Sequence, residues 1–363
     1  MSGRPTWADV DLGAFRRNLD AVARVLPERS RLIPVLKANA YGHGAVQIAR
    51  ACNHDRVAML AVALLEEALE LRDAGIELPL LVFGALTREQ IATAAERRIV
   101  AGIVGPEELA YACDVARERD VVVHVKLDSG MGRMGITASE LPRAIELIRA
   151  APRLRIDAIY THYANASDPL DPFTQTQTEN FQRMLATLRD AGVDAPLHHA
   201  ANSAATMRGL VAPGDYARAG IVLYGAAPLD GGQALLPVLR WRTEIVRLKT
   251  LPPGHGIGYG TTFHTARESR IATLPVGYAD GYSRLLSNNA DVLVRGKRAP
   301  VVGRVSMDLV TVDVTDIAGA ALGDEVILLG DDIRAEEHAA RTGTIAYEVF
   351  CRISARVPRK YSS

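Results

Sequence analysis

Eight short β-branched runs recur between about residues 30 and 225, each separated from the next by a longer segment rich in Ala, Leu, Glu and Arg. The runs fall at 32–37, 58–63, 79–83, 99–104, 121–127, 155–161, 197–201 and 216–223, and stretches between them such as Leu64–Ala74 and Thr178–Ala191 carry a helical period. Strands alternating with helices pair in parallel through right-handed crossovers. Eight units in roughly 200 residues fit a closed (β/α)8 barrel better than an open doubly wound sheet. No Gly-x-Gly-x-x-Gly turn opens the first helix, as a dinucleotide fold would require.

After Gly231-Gly232 the period changes to two. Apolar alternation runs through Trp241–Leu248, Arg270–Pro275, Asp291–Val294, Val301–Val305, Leu309–Val314 and Glu325–Leu329, with turns at Gly254, Gly296 and Gly323. The fold class expected is therefore α/β: a barrel over 11–235 and a mostly β domain over 236–363, which ends in a short helical return around Ile333–Arg341. Residues 1–10 alternate like a strand ahead of a helix capped near Asp11, and they are expected to pair with the distant β domain.

A chain of 363 residues has the size of two domains. Lys plus Arg and Asp plus Glu both number 42, so the formal charge is zero. That balance argues against nucleic-acid binding, which draws on an excess of cations. No apolar run nears the roughly 18 residues of a membrane span, and the first residues lack a signal-peptide core. Cys52, Cys113 and Cys351 are odd in number and widely spaced, so they read as reduced, buried thiols of a cytoplasmic protein.

In such a barrel, chemistry gathers where strands end at the C-terminal face. Lys37 closes strand one, Lys126 with Asp128 strand five, His162 strand six and Asn202-Ser203 strand seven; Arg218 lies within strand eight. An amine at the mouth of a buried strand can be desolvated and used as a nucleophile. After strands seven and eight, where phosphate sites form, Ser203 and the N–H groups of Gly220 and Ile221 are candidates, although Asn and Ser are also ordinary helix caps. The glycines of Lys126–Gly135 let Arg133 turn back over the mouth, where its fork suits a carboxylate. A metal centre is not expected: His198 and His199 are adjacent on a strand, point to opposite faces and cannot share an ion.

Lys37-Ala-Asn-Ala-Tyr-Gly-His-Gly44 resembles the cofactor-lysine motif of the bacterial alanine racemases, pyridoxal-phosphate enzymes of fold type III. The likeness continues through Lys126–Gly135, Arg218–Ile221, Gly256–Gly260, Pro275–Tyr282, Gly303–Asp308 and Tyr347–Val349, and reaches from Trp7 to Arg359. It implies a homodimer that interconverts L- and D-alanine for peptidoglycan. Lys37 would form the internal aldimine with pyridoxal phosphate and act as base on one face of the substrate. Tyr259 of the partner subunit would be the base on the other. It implies a phosphate cup of Tyr41, Asn202, Ser203, Gly220, Ile221 and Tyr347, with His162 near the cofactor and Arg218 at its pyridine nitrogen. Guanidinium cannot give that nitrogen a proton, so the electron sink stays weak, which suits racemisation over transamination. Arg133 would hold the substrate carboxylate, with Met307 and Tyr278 supplied across the interface, and some relatives carbamylate the lysine at Lys126. Many relatives have cysteine where this chain has Ser306. A broader small-amino-acid racemase, a decarboxylase of the same fold type and a non-enzymatic cofactor carrier are the alternatives; Arg218 speaks against the second and the β domain against the third.

Overall fold

The computed structural model describes residues 3–226 and 235–363; the change of pattern expected at Gly231-Gly232 lies outside the described residues. Six parallel strands, Leu60–Val62, Leu80–Val82, Ile99–Ile103, Val121–Lys126, Leu154–Tyr160 and Leu197–His199, form one sheet in chain order. Strands Arg31–Leu32 and Tyr216–Ala217 pair with each other and close the ring. On one side Leu32 bridges to Val57 and Val35 to Ala61; on the other, the Arg218 N–H donates to the Ala201 carbonyl at 2.9 Å. All eight expected strands are present and the barrel is closed, but the first and the eighth are shorter than the runs 32–37 and 216–223, the latter giving way to a 3-10 turn at Ile221–Tyr224.

Period two along the barrel strands fixes what faces inward. Ile33, Met59, Ala61, Leu81 and Val100, with Val122 and Tyr216 against them, make an apolar plug inside the barrel. Two residues further along the same strands the inward positions turn polar, at His124 and Arg218, both buried. An extra residue, Asp157, breaks the pairing of strand six with strand five beside His124. Such a bulge re-aims the side chains beyond it, here Tyr160.

Thr6–Asp11 leaves the barrel to other strands. It pairs antiparallel with Leu239–Glu244 and parallel with Arg359–Ser362, burying Thr6, Ala8 and Val10 on one face. Its Asp11 side chain then accepts from the Ala14 N–H and caps the helix Leu12–Arg24. The sheet that receives it runs Lys297–Pro300, Asp291–Val294, Glu325–Leu329, Leu239–Glu244, Thr6–Asp11, Arg359–Ser362, and a second sheet joins Arg247–Leu251, Ser269–Leu274 and Val310–Asp313.

Several expectations change. Trp241–Leu248 is two strands in two sheets. Val301–Val305 holds only a bridge, Val301 to Val312, because the strand precedes it at Lys297–Pro300. The helical return is two helices, Ala335–Thr342 and Ala346–Arg352, and the closing strand Arg359–Ser362 had no alternating apolar signal because Lys360, Tyr361 and Ser362 are exposed. Cys52 is buried, but Cys351 is exposed. Among the described residues no helix is long and apolar enough to cross a membrane, and no cluster of ligand side chains could hold a metal ion.

Candidate active site

A cavity of about 310 Å³ opens at the C-terminal mouth of the barrel. Lys37, Lys126, Arg133 and Arg218 line it together with Tyr41, Tyr160, His162, Asn202, Ser203, Gly220 and Tyr347, and no Asp or Glu does. Four cations without a carboxylate repel one another unless anions enter between them. A larger cleft of about 470 Å³ lies outside the barrel, between the helix Phe173–Asp190 and residues 208–216. It holds none of these groups, so size does not identify the site.

Lys37 does not close a strand. It begins a turn in which Ala38, Asn39, Ala40 and Tyr41 all have φ between 51° and 54°, a left-handed conformation that costs an L-residue energy. Surrounding bonds hold the turn. Glu67 Oε1 accepts from the Ala38 N–H at 2.6 Å, the Asn39 side chain accepts from the Ala45 N–H at 2.7 Å, and His43 Nδ1 reaches the carbonyls of Ala40 and Tyr41. The effect is to bring the Lys37 amine and the Tyr41 hydroxyl to one cavity. Burial, then the neighbouring Arg133 charge, lowers the Lys37 pKa below that of a free lysine.

Arg218 sits one residue past its strand, is buried, and has no carboxylate partner among the described residues. Instead the barrel gives it acceptors. Its Nη1 donates to His199 Nδ1 at 2.6 Å and the His199 carbonyl at 2.7 Å; its Nη2 donates to the carbonyls of Thr161 and Ala200 and to His162 Nδ1. Among the described residues nothing accepts from Nε, which leaves that donor for the cavity. Tyr160 stacks on the His199 ring at 4.6 Å and lies beneath the guanidinium. Burial lowers the Arg218 pKa to about 10, still charged at neutral pH, and holds the imidazoles of His162 and His199 neutral.

Tyr41, Asn202, Ser203, Gly220 and Tyr347, expected around a phosphate, line one cavity, and two of them are already committed. Asn202 caps the helix Ser203–Met207 through Ala205 N and donates to the Tyr163 carbonyl, and the Gly220 N–H donates to Ser203 Oγ at 2.9 Å. Among the described residues, the donors left without an acceptor include the hydroxyls of Ser203, Tyr41 and Tyr347 and the Ile221 N–H, which opens the turn Ile221–Tyr224 and so has no acceptor within it. A Cβ at Gly220 would stand 2.5 Å from the Tyr41 hydroxyl, so only glycine admits that oxygen. Burial raises both tyrosine pKa values, that of Tyr347 to about 12, and keeps their hydroxyls as donors. Hydroxyl and backbone donors on one side, an unpaired guanidinium N–H on another and an amine of lowered pKa at the same cavity fit an aldehyde cofactor with a phosphate and a basic ring.

Arg133 is exposed at the mouth, in a loop tied down by Asp128, whose carboxylate accepts from the N–H groups of Gly130 and Gly132. Lys126 is the inward residue two beyond His124; burial, Arg133 and Arg218 lower its pKa to about 8.

Tyr259, Tyr278 and Met307 are absent from the cavity of their own chain. They stand exposed on the β domain, Tyr259 at 72%, and the backbone gathers them. The Tyr278 N–H donates to the Ser306 carbonyl, the Ala279 N–H to that of Met307, and Gly258 packs on Arg304. Tyr160, His199 and Glu67 join the site without having been expected. Counting inward positions two by two from Tyr216 and Val122 would have found His124, and the His199 side chain follows from the pairing of its strand with Tyr160.

Fold and cavity together define a two-domain barrel enzyme that gathers anion-binding groups around a lysine at the barrel mouth. The family model "Alanine racemase, N-terminal domain" matches residues 10–228, and "Alanine racemase, C-terminal domain" matches 238–361. The alanine racemases of Symbiobacterium thermophilum and Sorangium cellulosum are each 44% identical over 99% of this chain, and over 97% and 99% of their own lengths. Among solved structures, alanine racemase from a D-cycloserine-producing Streptomyces lavendulae superposes with a TM-score of 0.94 at 35% identity, covering 100% of this chain and 98% of that one. The Bacillus anthracis enzyme with bound L-Ala-P does so with 0.91 at 36%, covering 100% and 96%. The chain belongs to the alanine racemase family.

Proposed function

We propose that this chain is a pyridoxal-phosphate-dependent isomerase interconverting L- and D-alanine as a homodimer. The observation that carries the reading is the cavity with four cations and no carboxylate, in which the Lys37 pKa is lowered. It asks for a phosphate and a substrate carboxylate at once, and it offers no acid to a pyridine nitrogen, which disfavours the decarboxylase alternative.

When bound, the cofactor supplies the electron sink that makes an amino acid's α-proton removable near neutral pH. Tyr41, Ser203, Ile221 and Tyr347 would hold its phosphate, with Asn202 and Gly220 shaping the cup and His162 beside it, and Arg218 would serve its ring nitrogen. Arg133 binds the substrate carboxylate. The Lys37 amine, whose pKa is lowered in the cavity, would take or return the α-proton on one face. Inversion needs a second proton-transfer group on the opposite face. Tyr259 of a second copy, with Tyr278 and Met307 on the same exposed patch, serves that face. Docking of each barrel mouth on the other copy's β domain gives two equal sites. A carbamate on Lys126 would put an anion between that lysine and Arg133, and an amine with a pKa near 8 is partly neutral and able to react with carbon dioxide. The 11–235 and 236–363 division follows the same logic, one part holding the cofactor and the other completing a neighbour's site. Three unpaired cysteines support a reducing cytoplasm, where D-alanine would feed peptidoglycan synthesis.

The test is each alanine enantiomer in heavy water with cofactor. Inversion with solvent deuterium at Cα is expected, with serine slower, since one added oxygen in a small pocket is weakly rejected. Carbon dioxide release, or exchange without inversion, would refute it.

A further inference from the structure

Beneath Arg218 the hydrogen bonds form a directed chain. Guanidinium only donates, so at 2.6 Å from Arg218 Nη1 the His199 Nδ1 must present its lone pair. A ring with a lone pair at Nδ1 carries its proton at Nε2, and that nitrogen lies 3.0 Å from His124 Nδ1. The second contact therefore runs from His199 Nε2–H to His124 Nδ1, and His124 must hold its own proton at Nε2. Both rings are buried, and burial with the Arg218 charge keeps both neutral. One permanent donor thus sets two tautomers in sequence.

We propose that His124, which does not line the cavity, is a positioning residue for the ring-nitrogen side of the site: by accepting from His199 it fixes the tautomer and ring angle that aim Arg218. His199 has no other side-chain acceptor for Nε2–H among the described residues. Without His124 it has two outcomes, a buried unmade hydrogen bond or a ring turned to put N–H against Arg218. Either disturbs the arrangement that leaves Nε free. His124 sits in the strand register that also carries Lys126, and on the bulged side of strand six, so the barrel itself sets its height. The inference rests on Arg218 facing the cofactor, as proposed above; the tautomer measurement does not, so the two can fail separately.

The test is ¹⁵N NMR of histidine-labelled protein, with and without cofactor, for wild type, His124→Asn and His124→Leu. Asparagine places Oδ1 near the position of Nδ1 and keeps an acceptor; leucine removes it. The wild type is expected to show His199 protonated at Nε2 alone before any cofactor is added. The Asn variant should retain that signature and the wild-type cofactor affinity. The Leu variant should shift the His199 nitrogens and weaken cofactor binding about tenfold, the worth of one hydrogen bond supporting a charged group. His199 protonated at Nδ1 in the wild type overturns the chain outright, and needs no variant to fold. Asn and Leu variants equally impaired would reduce His124 to packing, which also overturns the proposal. An intact tautomer pattern in wild type and Asn, with cofactor affinity unmoved in Leu, would refute the link to Arg218's role.

Discussion

Replacing Ala38 by glycine should stabilise the protein and slow it. Ala38 has φ 54° and is exposed, so removing its methyl loses little packing. A left-handed conformation costs an L-residue roughly 1–2 kcal/mol, which glycine avoids. Against that stands the extra freedom glycine gives the unfolded chain, about 0.4–1 kcal/mol. The balance is a gain of about 0.5–1 kcal/mol. The bond from the Ala38 N–H to Glu67 is kept, because glycine retains the donor. Ala92 supplies the control: it lies in the right-handed helix Arg88–Glu96, where glycine costs about 1 kcal/mol. The two chemically identical substitutions should thus differ in sign. Paired urea unfolding at fixed protein and cofactor concentrations, followed by circular dichroism, measures the difference. Turnover adds a second reading, because the strained turn holds the Lys37 amine beside Tyr41 and a looser flank should lower kcat a few-fold. Loss of stability by Ala38→Gly equal to that of Ala92→Gly would mean the turn stores no strain, and the account of how Lys37 is positioned would fall with it.

Lys37→Ala should abolish covalent attachment of the cofactor; borohydride reduction of the wild type and peptide mapping should find the label on Lys37, and a label on Lys126 would overturn the assignment. Tyr259→Phe should bind cofactor normally yet lose racemisation in both directions by at least about a hundredfold, the lower end of what a positioned acid–base group contributes. Mixed with Lys37→Ala it should regain activity in heterodimers, which hold one site free of both lesions; subunits shown to exchange without any regain would place Tyr259 outside a shared site. Burial and the Arg133 and Arg218 charges bring the folded-state pKa of Lys126 down to about 8, against 10.5 for a free lysine. The unfolded chain therefore binds more protons between those values, and stability contributed by this group rises as pH climbs through that window. In buffer free of carbon dioxide, Lys126→Met should flatten that rise in unfolding midpoints; an unchanged slope would show the lysine to be well solvated.

What the sequence disclosed was whatever a local pattern encodes. The eight barrel strands were readable because each is a short apolar run between helical periods, and the distant pairing of Thr6–Asp11 because its alternation demanded a face to bury. The closing strand Arg359–Ser362 was not readable: an edge strand facing solvent needs no apolar alternation, and its partner lies some 350 residues earlier in the chain. Lys37 was recognised as a functional amine, but its left-handed turn was hidden, since Ala38 and Ala40 are residues that ordinarily favour the right-handed helix. That conformation comes from Glu67, Asn39 and His43 acting together, which is tertiary information. Arg218 shows the same division. Its presence near the end of strand eight was legible, whereas its orientation depends on acceptors from Thr161, His199 and Ala200, mostly backbone carbonyls that no sequence motif marks. His198-His199 were weighed only as metal ligands, and rejected because neighbours on a strand face opposite ways. The same alternation, followed one step further, turns His199 inward toward Arg218 and leaves His198 outside beside Asp215. The geometric rule that ruled out a metal was also the one that could have found the residue holding the arginine.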